Sequence, residues 1–156
     1  MNEYTPLEIS TLSVYLQICT DCESQKHFSV DEISNALGYE PFQSFTKGNP
    51  GGFLMLPAEF SLWRGLKSES SSIADELPVL SDYLTDIIKK LFGKTDYLKS
   101  LKADYNAKIS IVISPIIVDG RSPDLNISSE QLKLLSDIGI NIEFDMYVCP
   151  FEFKKK

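Results

Sequence analysis

Three cysteines and one histidine are the residues of this chain whose types could hold a soft metal or run redox chemistry. Cys19 and Cys22 frame the stretch "CTDC", His27 follows in the next polar run, and Cys149 lies near the other end. Thiolates at this spacing suit zinc, but a structural zinc site needs four ligands. Cys19, Cys22, His27 and Cys149 are the four on offer, and only a fold that brings both ends of the chain together would assemble them. A redox pair shares the Cys-x-x-Cys spacing and benefits from a helix N-terminus behind its first thiol. Here the pair follows a strand pattern and enters a polar loop, and the charge of Asp21 between the thiols raises their pKa values. The expectation is ordinary cysteines, with Cys19 a small buried residue at a strand end, and no metal or cofactor.

The other candidates for chemistry are carboxylates and one aromatic–cationic pair. His27 has Asp21, Glu23, Asp31 and Glu32 near it in sequence. A general base also needs a nucleophile in reach, and no Ser or Cys motif accompanies it, so it reads as a solvent-exposed loop residue. Glu143 and Asp145 stand two apart, on one face of a predicted strand. Such a pair could serve hydrolysis or hold a hard cation, but paired carboxylates are common on acidic surfaces, and that is the reading adopted. "KGNPGG" lacks the Gly-Lys-Ser/Thr ending of a phosphate loop, and "DGRSPD" lacks the length of a calcium loop. No catalytic residue is assigned. Trp63 and Arg64 are adjacent, and both types are favoured at interface hot spots. Either Trp63 lies on an open sheet face as a contact anchor, or it packs beneath a helix and leaves Arg64 exposed.

These residues must be positioned by a small set of elements. Leu12, Val14, Leu16 and Ile18 alternate with other residues and predict a half-buried strand over 11–19. Ser29 and Glu32 have capping-box spacing before a short helix that Gly38 ends. Residues 39–58 are rich in Pro and Gly. They hide a short strand in "GGFLML" or form a functional loop pinned by Phe42, Phe45 and Phe53. A strand follows, with Phe60, Leu62, Arg64 and Leu66 on one side, Ser61, Trp63, Gly65 and Lys67 on the other, and Gly65 as a candidate bulge. Leu77, Leu80, Leu84, Ile87, Ile88 and Leu91 predict a helix over 75–92 with Pro78 in its first turn. A shorter helix runs over 96–106. "KISIVISPIIV" reads as a strand covered on both faces, ended or broken at Pro115. Ser128 and Gln131 form a second capping-box pair, Leu132, Leu135 and Ile138 line that helix, and Gly139 closes it. In the last strand Ile140, Ile142, Phe144 and Met146 face one layer, and Asn141, Glu143, Asp145 and Tyr147 the other. The order predicts an α+β two-layer sandwich: a mostly antiparallel sheet with helices packed on one face and water on the other.

Length and charge bound what such a sandwich would bind. The 156 residues fit one domain over 1–156, with a core over 10–148 and a short Lys-rich tail. The formal charge is -7. Without Lys154, Lys155 and Lys156, 22 acids against 12 bases leave the body near -10. That balance repels phosphate backbones and favours a basic protein partner over nucleic acid. No window approaches the roughly 20 apolar residues of a membrane helix. "MNEYTPLEIS" carries no targeting pattern, so a cytoplasmic location and no membrane partner are expected.

Four segments together resemble a known family. They are the first strand followed by "SVDEISNALGYEP", the "SLW" around Trp63, the long leucine-rich helix, and the closing "SSEQLKLLSDIGINIEFDMY". The chain is similar to DUF4279, a bacterial domain family of unknown function, over most of residues 10–148. The resemblance implies no catalytic residues. By analogy with other small acidic bacterial proteins it implies an immunity protein that neutralises a basic toxin by binding it. The resulting expectation is a non-catalytic protein-binding module that uses Tyr15, Trp63, Arg64, Glu143, Asp145 and Tyr147. The alternatives are a small-molecule-binding module with residues 39–57 as a lid over an aromatic pocket, and a carboxylate-dependent hydrolase.

Overall fold

In the computed structural model, which describes residues 10–51, 56–70 and 77–149, the alternating stretch Thr11–Cys19 is a strand, β1, at the centre of the sheet. Leu12, Val14, Leu16 and Ile18 all point to one face and are fully buried. The chain continues through α1 (Val30–Leu37), β2 (Gln43–Phe45), β3 (Pro50–Gly51), β4 (Leu56–Pro57), β5 (Leu62–Glu69) and α2 (Leu80–Lys90). It then runs through α3 (Thr95–Tyr105), β6 (Lys108–Ile117), α4 (Ser129–Ile138), β7 (Asn141–Phe144) and β8 (Tyr147–Val148). The strand order is β2-β5-β1-β6-β7, and β8 continues alongside β6 beyond β7. Pairings β2–β5, β5–β1 and β1–β6 are antiparallel. β7 and β8 run parallel to β6, which requires the α4 crossover. β3 and β4 pair only with each other.

Helices cover one face of this sheet, which makes the fold an α+β two-layer sandwich. The core joins Leu16, Ile18, Ile109, Ile111 and Ile113 of the strands to Ile33, Leu84, Ile87, Leu98, Leu101 and Leu135 of the helices. Gly38 and Gly139 end α1 and α4 in the left-handed conformation, both at φ 81°, which only glycine adopts without strain. The two capping-box signals part company. At α4, Ser128 Oγ accepts from the Gln131 N–H (3.1 Å), and Gln131 Oε1 accepts from the Ser128 N–H (3.0 Å). At α1, Ser29 is the N-cap residue but makes no side-chain cap bond, and the Glu32 carboxylate, which would supply the reciprocal half of the box, accepts from the Tyr105 hydroxyl at 3.1 Å. Gln131, not Leu132, occupies the inner side of α4. It is buried and donates to Ser81 O and Thr85 Oγ1 of α2, and Leu132 is left exposed.

α2 begins at Leu80, so Pro78 precedes the helix instead of lying in its first turn. The predicted start at Asp75, like Phe53 and the terminal lysines, lies outside the described residues.

Pro115 does not end β6; the break falls on its neighbour. Leu12 turns its N–H and C=O to Ser70, away from β6. Its partner Pro115 therefore presents its backbone to the opposite edge, where a proline has no N–H to give. β7 stops opposite Ile113, and β8 starts opposite Ile116. The edge strand is thus divided where its partner lacks a donor. On either side of that stop Phe144, which ends β7, and Met146, which precedes β8, stay half exposed instead of entering the core.

Candidate functional site

The sheet face away from the helices gathers polar and aromatic side chains from five strands. Ser13, Tyr15, Gln17 and Cys19 alternate with the core residues of β1 and are half-buried on this face. Gln17 lies opposite Arg64 of β5 and Ser110 of β6. Gln43 of β2 lies opposite Arg64 on its other side. Tyr15 lies opposite Val112, which pairs with Glu143 of β7.

A bulge decides which β5 residues join them. The β1–β5 register shifts between Val14 and Leu16, and Leu66 has φ 53°. Gly65 and Leu66 both lie on the buried side, and the alternation restarts with Lys67 outward. The sequence expectation that Lys67 shares a side with Trp63, and Leu66 with Arg64, fails for that reason. Arg64 and Lys67 share the open face. The guanidinium carbon of Arg64 sits 5.5 Å from the Tyr15 ring centroid. Lys67 Nζ sits 5.3 Å from that of Phe42, and Phe42 meets Tyr15 edge-on at 5.3 Å. The Arg64 Nε–H donates to Gln17 Oε1 and an Nη1–H donates to Gln43 Oε1, each at 2.7 Å.

Glu143 closes the β7 side of the face. Its Oε1 accepts from Lys108 Nζ at 2.5 Å and from the Ser110 hydroxyl at 2.7 Å. The lysine first, then the hydroxyl, hold the Glu143 carboxyl below its usual pKa, and Glu143 in turn raises that of Lys108. Burial pushes the Tyr15 hydroxyl up; Arg64 opposes the shift and Asp145 and Glu143 add to it. Tyr147 donates to Asp145 Oδ2 at 3.4 Å. The face is therefore of mixed charge, with Arg64 and Lys67 on β5, Lys108 on β6, Glu143 on β7 and Asp145 just beyond it.

Of the six residues the sequence proposes for binding, Tyr15, Arg64, Glu143, Asp145 and Tyr147 belong to this face or its edge, and Trp63 does not. Trp63 is 0 % exposed. It pairs with Ile18, so it shares the buried side of the sheet, and its indole N–H donates to Ser34 Oγ of α1 at 3.0 Å. Gln17, Gln43, Ser110 and Lys108 were not singled out in the sequence. Only strand register reveals that they hold Arg64 and Glu143.

The proposed metal set does not assemble. Cys19 pairs with Lys108 at one end of β6, and the Cys149 N–H donates to Ile117 O at the other. At about 3.3 Å per residue, the two thiols stand roughly 30 Å apart along the strand. His27 is half-buried rather than solvent-exposed, and both its ring nitrogens are engaged. Nδ1 bonds Thr20 Oγ1 at 2.7 Å and Nε2 donates to Ser24 O at 2.8 Å, which fastens the loop after β1. Burial raises the pKa of Cys19. A hydrogen bond to Asp21 raises that of Cys22. Both shifts run against thiolate chemistry. Among the described residues no group of three or more His, Cys, Asp or Glu side chains could hold a metal, and no helix is long and apolar enough to cross a membrane.

The model of the family described as "Domain of unknown function (DUF4279)" matches residues 10–149, and the chain belongs to that family. No curated protein and no solved structure matches it.

Proposed function

We propose that this DUF4279 member is a non-catalytic protein-binding module that docks a basic partner on the open face of its sheet. The supporting observation is that this face carries Tyr15, Phe42, Arg64, Lys67, Glu143 and Asp145, with most of these side chains already tied by hydrogen bonds or ring contacts. Tied side chains lose little freedom on binding, so more of the contact energy is retained as affinity. The net charge of -7 steers a basic protein toward the chain, an attraction that salt weakens. A toxin held inactive by being bound is the specific form of this reading. Two-carboxylate hydrolysis is less well supported. It needs one carboxyl kept protonated, and Glu143 is shifted toward ionisation. The lid-and-pocket alternative is also less well supported, because Phe42 and Phe45 pack edge-on to Tyr15 and Phe60.

The test is affinity capture from lysate of the native organism with three baits: wild type, Tyr15→Ala/Asp145→Lys on the open face, and Asp137→Lys on α4. The expected result is a basic protein retained by wild type and Asp137→Lys, lost from the face variant, and released as salt rises. Equal retention by all three baits, or an acidic partner, would sink the reading.

A further inference from the structure

Arg64 is a cation held in place with no salt-bridge partner among the described residues. It is half-buried near the centre of the open face. Among the described residues its hydrogen-bond partners are two neutral amide oxygens, Gln17 Oε1 and Gln43 Oε1. The salt bridges among those residues use Lys67, Lys90 and Lys108. Gln17 and Gln43 face Arg64 in register from the strands on either side. They hold the guanidinium plane against the Tyr15 ring but do not neutralise it. The fork keeps unused N–H donors, in a plane already chosen. Arginine recognises carboxylate through such a fixed fork, and fixing it beforehand lowers the cost of binding.

We propose that Arg64 is the receptor for a single carboxylate side chain carried by the bound partner. This rests on the binding reading above and adds the chemistry of one contact: a partner that is basic overall places an Asp or Glu at Arg64. The surroundings favour a singly charged group. Arg64 acts on Glu143, and Glu143 and Asp145 both act on Tyr15 beneath the guanidinium. A phosphate ester, with roughly -1.5 to -2 charges at neutral pH, meets stronger repulsion from those carboxylates than a carboxylate does. The net charge of -7 also opposes a polyanion. Lys67 is paired with Glu69 at 2.7 Å, which leaves Arg64 as the anchor.

The test needs no partner. The isolated chain is titrated with N-acetylglutamate amide, with its neutral twin N-acetylglutamine amide, and with inorganic phosphate, while the arginine Nε–H signals are followed by NMR. The Arg64 signal is expected to shift saturably with the glutamate probe at millimolar concentrations. The neutral twin should bind at least about tenfold more weakly, and phosphate no more tightly than the carboxylate. Arg64→Met should abolish the accompanying shift of the Tyr15 ring signals, with its backbone amide spectrum reporting that it folds. Gln17→Leu should weaken binding several-fold and leave the charge in place, which keeps the test decisive if Arg64→Met unfolds. An Arg64 signal that does not move, equal response to the neutral twin, or tighter binding of phosphate each overturns the assignment. A face-dependent capture with no response to the glutamate probe would refute the carboxylate receptor alone. A response to the probe without any face-dependent capture would refute the binding module alone.

Discussion

Replacing Gly65 by alanine tests how tightly β5 is fitted under its tryptophan. A Cβ at Gly65 would stand 2.3 Å from Trp63 Cη2, 2.7 Å from Cζ2 and 2.8 Å from Cζ3, all far inside van der Waals contact. The indole cannot slide aside freely. It is fully buried, and its N–H is tied to Ser34 Oγ on α1. Gly65→Ala therefore either pushes β5 outward or pulls the ring from Ser34. Overpacking costs roughly 1–3 kcal/mol, and losing the buried hydrogen bond adds about 1–3 kcal/mol. The expected loss is about 1–3 kcal/mol if one adjustment suffices and about 2–6 kcal/mol if both occur, and each kcal/mol lowers Tm by roughly 2–4 °C for a chain of this length. Urea unfolding followed by far-UV circular dichroism measures it. The mechanism is isolated by a double-mutant cycle, because Trp63→Phe removes the ring atoms that the methyl would strike. In that background Gly65→Ala should cost at least about 1 kcal/mol less. A loss under about 0.5 kcal/mol, or the same loss in both backgrounds, refutes the reasoning.

Tyr97 and Gln131 supply two further expectations. The Tyr97 hydroxyl is covered and has no hydrogen-bond partner among the described residues; burial first, then Glu32, push its pKa up to about 12. A folded value above the unfolded value of about 10 contributes stability that is full below pH 10 and is lost as pH rises toward 12. Tyr97→Phe should leave stability at neutral pH unchanged or raised, and should flatten its decline across that alkaline window in urea midpoints; an unchanged alkaline slope contradicts the assignment. Gln131→Ala removes one half of the α4 capping box and all three side-chain bonds to α2, so a loss of about 1–3 kcal/mol is expected in urea unfolding. Adding Ser128→Ala should cost less than its separate effect, because both residues serve one cap, and full additivity would show that the box does not act as a unit.

The parts of the fold that were legible before the structure are those set by local chemistry. The alternation of Leu12, Val14, Leu16 and Ile18 placed β1 with its ends, because a period of two can bury only one face. Gly38 and Gly139 marked helix ends, because the left-handed residue there favours glycine. What was illegible depended on a distant neighbour. Ser29-x-x-Glu32 and Ser128-x-x-Gln131 carry the same spacing, yet only the second closes a cap; at α1 Ser29 makes no cap bond and the reciprocal Glu32 carboxylate is taken by Tyr105 from α3. Pro115 signalled a break, but only the orientation of Leu12 shows that the break belongs to the edge strand. At the site, Glu143, Asp145 and Arg64 could be named from residue type. The glutamines that fix Arg64 come from β1 and β2 and meet it only through register. The Cys-x-x-Cys spacing suggested a ligand set that the length of β6 keeps apart.

The failure of the period-two reading on β5 has a single cause, which also shapes the open face. Leu66 adopts φ 53°, a left-handed conformation that costs a non-glycine residue roughly 1–2 kcal/mol. Burying a leucine side chain returns about 1.5–3 kcal/mol, and Leu66 is only 6 % exposed, so core packing outweighs the backbone strain. Strict alternation would turn Leu66 to the open side with Arg64 and send Lys67 toward the core. With Leu66 drawn inward, Lys67 emerges over Phe42, and Arg64 and Lys67 stand together beside Tyr15. Two cations that an unbulged strand would place on opposite faces are gathered on one because the core accepts the leucine between them. The charge pattern offered to a partner is thus fixed in part from the far side of the sheet.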